Sequence, residues 1–233
     1  MMAKAAYPLT LFTGRFGSGK TEVALNYARS LAQEGVSSPE TAPGVVLIDL
    51  DIVTPYFRSR EMAEPFAELG VEVVAPSIIG QHLDTPALTP QILGAIERPD
   101  RRVVLDVGGD KQGARALGQY SAAIRRRGYA MHFVVNPYRP FTSSLNGLAA
   151  SISEIEESSR LQVTDLVSNP NLMGETIVEE IVQGHAVIEA FARELQMPIA
   201  FVCLERRWAD RLGSGSFSQP TLLLDRSFVQ PWE

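Results

Sequence analysis

Short apolar runs recur along the chain, each followed by a longer stretch with helical spacing. The runs are LTLFT (9–13), VVLIDL (45–50), VEVVA (71–75), RVVLDV (102–107), AMHFVVN (130–136), TDLVSN (164–169), IAFVCL (199–204) and TLLLD (221–225). Several are apolar at consecutive positions rather than alternating, which suits strands covered on both faces. Between them, helices are predicted over 20–34, about 57–69, 88–97, 114–127, 143–160 and 174–195. In the last of these, Ile177, Ile181, Val182, Ile188, Phe191 and Leu195 recur at helical spacing. Strand and helix in alternation predict an α/β fold: a doubly wound, mainly parallel sheet of about seven or eight strands with helices on both faces. There is no internal repeat, low-complexity tract or clear linker. GVSSPETAPG (35–44) reads as a loop, so residues 1–233 are expected to form a single domain.

Composition narrows the classes of function. With 233 residues, 45% hydrophobic and 21% charged, the chain can bury a sizeable core. A formal charge of −6 argues against a general binder of nucleic acid or anionic membrane. Cys203 is the one cysteine, which excludes an internal disulfide framework and any zinc or iron–sulfur site built from several cysteines of one chain. No apolar run approaches the roughly 20 residues that span a bilayer. The apolar part of MMAKAAYPLT is too short for a secretory signal, so a cytoplasmic location is expected.

The chemistry concentrates in GRFGSGKT (14–21), between a predicted strand and a predicted helix. Gly14, Gly19, Lys20 and Thr21 satisfy the G-x-x-x-x-G-K-[ST] phosphate-loop pattern, and its required strand–turn–helix setting is met. Glycines let the backbone curl so that N–H groups of Arg15, Phe16, Gly17, Ser18 and Gly19 converge on phosphate oxygens. The helix start adds positive potential, Lys20 can neutralise the β- and γ-phosphates, and the Thr21 hydroxyl can ligate Mg²⁺. Two further segments fit a nucleotide site. RVVLDV ends at Asp106 and runs into DVGGD (106–110), giving a carboxylate for the Mg²⁺ side and a glycine loop, Gly108–Gly109, able to approach a γ-phosphate. In VVLIDLDIVTPYFRSRE (45–61), Asp49 and Asp51 lie two apart at a strand's C-terminal end. One could orient the attacking water or hold the Mg²⁺ shell, and Asp51 is the stronger candidate.

Phosphate loop, D-x-D after the second strand and D-x-G-G after a later one together resemble the MinD/ParA/CobQ group of P-loop ATPases, which includes the nitrogenase iron protein and several metallocentre-maturation ATPases. The resemblance runs from about Leu9 to Leu204. That group's loop usually reads K-G-G-x-G-K-[ST], its first lysine reaching a partner subunit's nucleotide. Arg15 takes the place of that lysine and keeps its charge; Phe16 takes the place of a glycine. The resemblance implies a nucleotide-dependent homodimer, with Arg15 acting on γ-phosphate charge in its own site or across the interface. It also sets Asn169, in VSNPN (167–171), where related ATPases place an asparagine against adenine. No N-K-x-D of the guanine-specific kind occurs, so ATP is the expected nucleotide.

Other features read as structural. NPYRPFT (136–142) is a proline-stiffened loop in which Tyr138 and Arg139 could meet nucleotide or partner. Arg125–Arg127 read as a solvated helix end, His132 as core, Cys203 as a buried apolar residue, and 207–218 as a turn. His82 and His185 are isolated. The ending LLLDRSFVQPWE lacks the basic amphipathic tail of MinD-like membrane attachment, and the acidic balance opposes ParA-like DNA binding. The function expected is a Mg·ATP-binding protein and slow ATPase that switches a partner protein, with Lys20, Asp51, Asp49 and Arg15 catalytic and Thr21, Asp106 and Asp51 around the metal. Residues 51–61 and 107–115 are the expected moving segments. The rivals are an ATP-dependent small-molecule enzyme on the same scaffold and a non-hydrolysing nucleotide-binding adaptor.

Overall fold

A computed structural model describes residues 7–36, 43–50, 59–74, 90–212 and 215–226. The elements run β1 (Leu9–Thr13), α1 (Lys20–Val36), β2 (Gly44–Leu50), α2 (Ser59–Glu68), β3 (Val71–Val74), α3 (Pro90–Glu97), β4 (Arg101–Val107), α4 (Lys111–Gly118), α5 (Ser121–Arg127) and β5 (Tyr129–Val135). They continue with α6 (Leu145–Ser159), β6 (Asp165–Ser168), α7 (Val178–Glu194), β7 (Ile199–Glu205), α8 (Ala209–Leu212) and β8 (Thr221–Leu224). Among the described residues, eight strands join one sheet in the order β3-β2-β4-β1-β5-β6-β7-β8, and their pairings are parallel.

The consecutive apolar runs are explained by two core layers. Leu9 and Leu11 of β1, Leu105 of β4 and Phe133 of β5 face one side, against α3, α4, α5, α6 and α7. Phe12, Leu47, Val104, Val134 and Phe201 face the other, against α1 and α2. Alternate residues of each strand therefore meet opposite helix layers, and both sets must be apolar. Strand order reverses around β1: the chain passes to β2 and β3, returns to β4 on one flank of β1, then crosses to β5 on the other. In a parallel sheet the strand C-termini beside such a reversal form the crevice where ligands bind. The loop after β1 opens at that place.

Three sequence expectations need correction. The helix expected over 114–127 is two helices, α4 and α5. Gly118 ends the first where a side chain would press on the Ser158 carbonyl, 2.9 Å from a Cβ, and Tyr120 turns inward to 4% exposure. The segment 207–218 is not only a turn, since a 3₁₀ turn over Arg206–Trp208 leads into α8. The arginine run is not simply solvated. Arg127 donates to the carbonyls of Ile96 and Arg101, Arg125 to that of Arg160, and Arg126 pairs with Glu97 at 2.7 Å. These guanidiniums tie α5 to the end of α3 and to β4, satisfying carbonyls that a helix terminus leaves open.

Candidate functional site

Residues 14–19 join β1 to α1 as a tight loop. Gly14, Gly17 and Gly19 have φ of 150°, 76° and 84°, conformations in which a side chain is strained. The Ser18 N–H donates to the Arg15 carbonyl at 2.9 Å, and the Val23 N–H reaches back to Gly19 at 3.0 Å as α1 begins. Lys20 is the first residue of that helix and is 9% exposed; Thr21 beside it is half-buried. The loop amides and the helix N-terminus thus share one end of the sheet, the arrangement that concentrates positive potential for an anion.

The loop is held from outside by the strand ends on its flank. Asn169, 4% exposed at the end of β6, donates from Nδ2 to the Ser18 carbonyl at 2.7 Å. Asn136, 1% exposed at the end of β5, reaches the Gly17 carbonyl at 3.4 Å and the Asn171 carbonyl at 2.7 Å. Arg139 Nε adds a bond to the Gly17 carbonyl at 3.1 Å. Both asparagines precede a proline, in Asn136–Pro137 and Asn169–Pro170, which stiffens the strand exit. Sequence reading had not given Asn136 a role, although the repeated Asn-Pro at two strand ends was a visible signal. Tyr138 does not point at the loop; its hydroxyl donates to the Glu180 carbonyl of α7 at 2.6 Å.

Across β1 on the other flank stand the carboxylates. Asp106 is in register with Phe12 and with Asp49, so the two aspartates sit side by side on neighbouring strands. Alternation along β2 and β4 turns both to the α1 side of the sheet, the side on which Lys20 and Thr21 begin the helix. Asp49 is 7% exposed and Asp106 1%. Gly109 packs on the phosphate loop so closely that a Cβ would overlap the Gly14 carbonyl. The DVGGD segment therefore lies against the loop, and Asp110 ends it by capping α4, accepting from the Gly113 N–H at 2.8 Å. Asp51 and residues 52–58 lie outside the described residues, as does His82.

Arg15 and Phe16 part company. Phe16 is 74% exposed. Arg15 folds back on its own chain and forms an ion pair with Glu154 of α6 at 2.6 Å. Its hydrogen bond holds the Glu154 carboxyl below the usual carboxylate range, against the opposing effect of partial burial. His132 and Cys203 are core residues as expected: His132 packs between Phe12 and Phe201, and burial pushes the Cys203 thiol well up.

No family model matches the chain, and no curated protein matches it. Solved structures do. Chloroplast FtsY from Physcomitrella patens is 20% identical, with a TM-score of 0.54 over 87% of this chain and 60% of its own. The cell division protein FtsY of Thermotoga maritima is 19% identical, with a TM-score of 0.54 over 88% and 64%. The signal recognition particle 54 kDa protein of Aeropyrum pernix, solved with GDP, is 20% identical, with a TM-score of 0.53 over 87% and 42%. The likeness is one of fold: a single parallel eight-stranded sheet with helices on both faces. This chain spans about three fifths of the length of the two FtsY structures. The neighbours thus bear out the doubly wound parallel sheet, while the finer likeness to the MinD/ParA/CobQ group is not repeated among these three. Among the described residues, no helix is long and apolar enough to cross a membrane.

Proposed function

We propose that this chain binds a Mg²⁺-nucleoside triphosphate at Gly14–Thr21, hydrolyses it slowly, and acts as a switch for a partner protein. The observation that carries the reading is the phosphate loop itself, with its glycines at positive φ, Lys20 opening α1, and paired carboxylates on the adjacent strands. Loop amides and Lys20 hold the polyphosphate. A hydroxyl on Thr21 and a carboxylate on Asp106 are the hard-oxygen donors that suit Mg²⁺. Among the described residues no group of three or more His, Cys, Asp or Glu could hold a metal by itself, so phosphates and water would complete the ion's shell. Bound there, Mg²⁺ would supply charge neutralisation to the polyphosphate. Asp49, with Asp51 beyond the described stretch, orients water. Gly108 and Gly109, the second packed on the phosphate loop, are the natural hinge of a switch after Asp106.

ATP is the first reading, from Asn169 as a partner for adenine and from the absence of an N-K-x-D sequence. Asn169 Nδ2 also donates to the Ser18 carbonyl, so the same amide holds the loop. A guanine nucleotide is the second reading, supported by solved neighbours that hold GDP or GMPPNP with Mg²⁺. The test is Mg²⁺-dependent calorimetry with ATP and GTP on wild type and Lys20→Ala, with size followed by light scattering. Binding of one nucleotide, lost in Lys20→Ala, supports the switch and names its base; a rise in mass with the triphosphate supports a homodimer. No binding of either nucleotide by folded protein with Mg²⁺ refutes the reading. Turnover measured with and without a partner, or with candidate acceptors, separates a switch from an adaptor and from a small-molecule enzyme.

A further inference from the structure

The phosphate-loop arginine joins three segments at one guanidinium. Nε donates to Ser151 Oγ at 3.0 Å, Nη1 to the Gly109 carbonyl at 3.4 Å, and Nη2 to Glu154 Oε2 at 2.6 Å. Its Cζ lies 5.3 Å from the centre of the Phe141 ring, in the turn before α6. Ser151 is 2% exposed and the Arg15 side chain 16%, so most of this arrangement is sheltered from water. Glu154, the oppositely charged partner of the guanidinium, has a side chain 38% exposed. A guanidinium pinned to a carboxylate presents little net charge to a third group. The loop thus carries a cation whose field is largely cancelled by α6, next to the segment that follows Asp106.

We propose that Glu154 is a positioning residue for Arg15: it holds the guanidinium on α6, away from the polyphosphate, and so sets how strongly the loop prefers a triphosphate to a diphosphate. The inference rests on the nucleotide-binding reading above. A γ-phosphate adds charge and strong acceptor oxygens, which compete with Glu154 for the same donors. Removing Glu154 ends that competition and lets Arg15 turn to the phosphates. Gly109 shares Arg15, so a change in the arginine's partner is felt at once in the segment after Asp106 and in α6.

The test is a double-mutant cycle. Dissociation constants are measured for the triphosphate and diphosphate that the wild type binds, ATP with ADP or GTP with GDP, in wild type, Arg15→Ala, Glu154→Ala and the double variant. If Glu154 acted only through its own charge, its removal would raise triphosphate preference by the same factor with or without Arg15. The expected result is a gain at least threefold larger when Arg15 is present. Equal gains overturn the proposal, including the case in which Glu154→Ala merely lowers the unfolding temperature. Glu154→Gln keeps the side chain's shape and an acceptor while removing the charge, and serves if the alanine variant does not fold. A wild type that binds neither nucleotide removes both this inference and the reading beneath it; a wild type that binds, with equal gains, removes this inference alone.

Discussion

Asn169→Ala separates two roles for one side chain. Asn169 and Ser18 are 4% and 2% exposed, and the bond from Nδ2 to the Ser18 carbonyl is 2.7 Å long. Deleting the amide leaves a buried carbonyl without that donor, at a cost of about 1–3 kcal/mol. Part of that cost falls on global stability and part on the order of the phosphate loop. To the extent that it falls on the loop, nucleotide affinity drops by roughly five- to a hundredfold. The decisive feature is which ligands feel the loss. A clamp on the loop weakens ATP, GTP and inorganic tripolyphosphate by the same factor, because all three meet the same amides. A base reader weakens one nucleotide and leaves tripolyphosphate untouched. Calorimetric titration of the three ligands into wild type and variant, each with Mg²⁺, gives the factors directly. A base-selective loss would refute the clamp and restore Asn169 as the reader of the base.

Gly109→Ala should abolish nucleotide binding and lower the unfolding temperature, since the added methyl meets the Gly14 carbonyl and a backbone cannot yield cheaply; unchanged calorimetric affinity would show that the two loops do not depend on each other. Phe133→Ala empties a fully buried site in the layer under α3–α7 and should cost about 3–5 kcal/mol in urea unfolding, with the folded variant still binding nucleotide. Burial pushes the His185 imidazole below its ordinary pKa, although Glu189 at 3.5 Å opposes it, and Ser168 Oγ, Gln219 and the Phe217 ring also face it. With a depressed folded pKa, the unfolded chain binds the proton first, so stability should fall as pH drops below about 6.5. His185→Gln should flatten that decline; a profile that stays the same would mean other groups cause it.

The fold was largely legible because each strand had to satisfy two helix layers. Within VVLIDL and RVVLDV, Val45–Ile48 and Val103–Leu105 are apolar at consecutive positions, where a half-exposed strand would alternate, and the runs match β2 and β4 closely. The break between α4 and α5 was not legible, since helical spacing continues through Gly118. Only the close approach of α6, with the Ser158 carbonyl against that glycine, ends the helix there. In the candidate site, Gly14, Gly17, Gly19, Lys20 and Thr21 were legible because their spacing follows from local backbone geometry. The tasks of Arg15, Asn136, Asn169 and Glu154 were not, because each contact bridges residues far apart in sequence.

By itself, then, the order of residues determined the alternation of strand and helix, the parallel sheet and the place of the glycine-rich loop between β1 and α1, all consequences of local propensity and burial period. Tertiary structure alone decided which way the polar side chains around that loop would turn. It gave Asn169 to the loop's own carbonyl and Arg15 to Glu154 of α6. Local sequence constrains a backbone through a few neighbouring residues, whereas a long polar side chain chooses among every donor and acceptor that folding brings within about 3 Å.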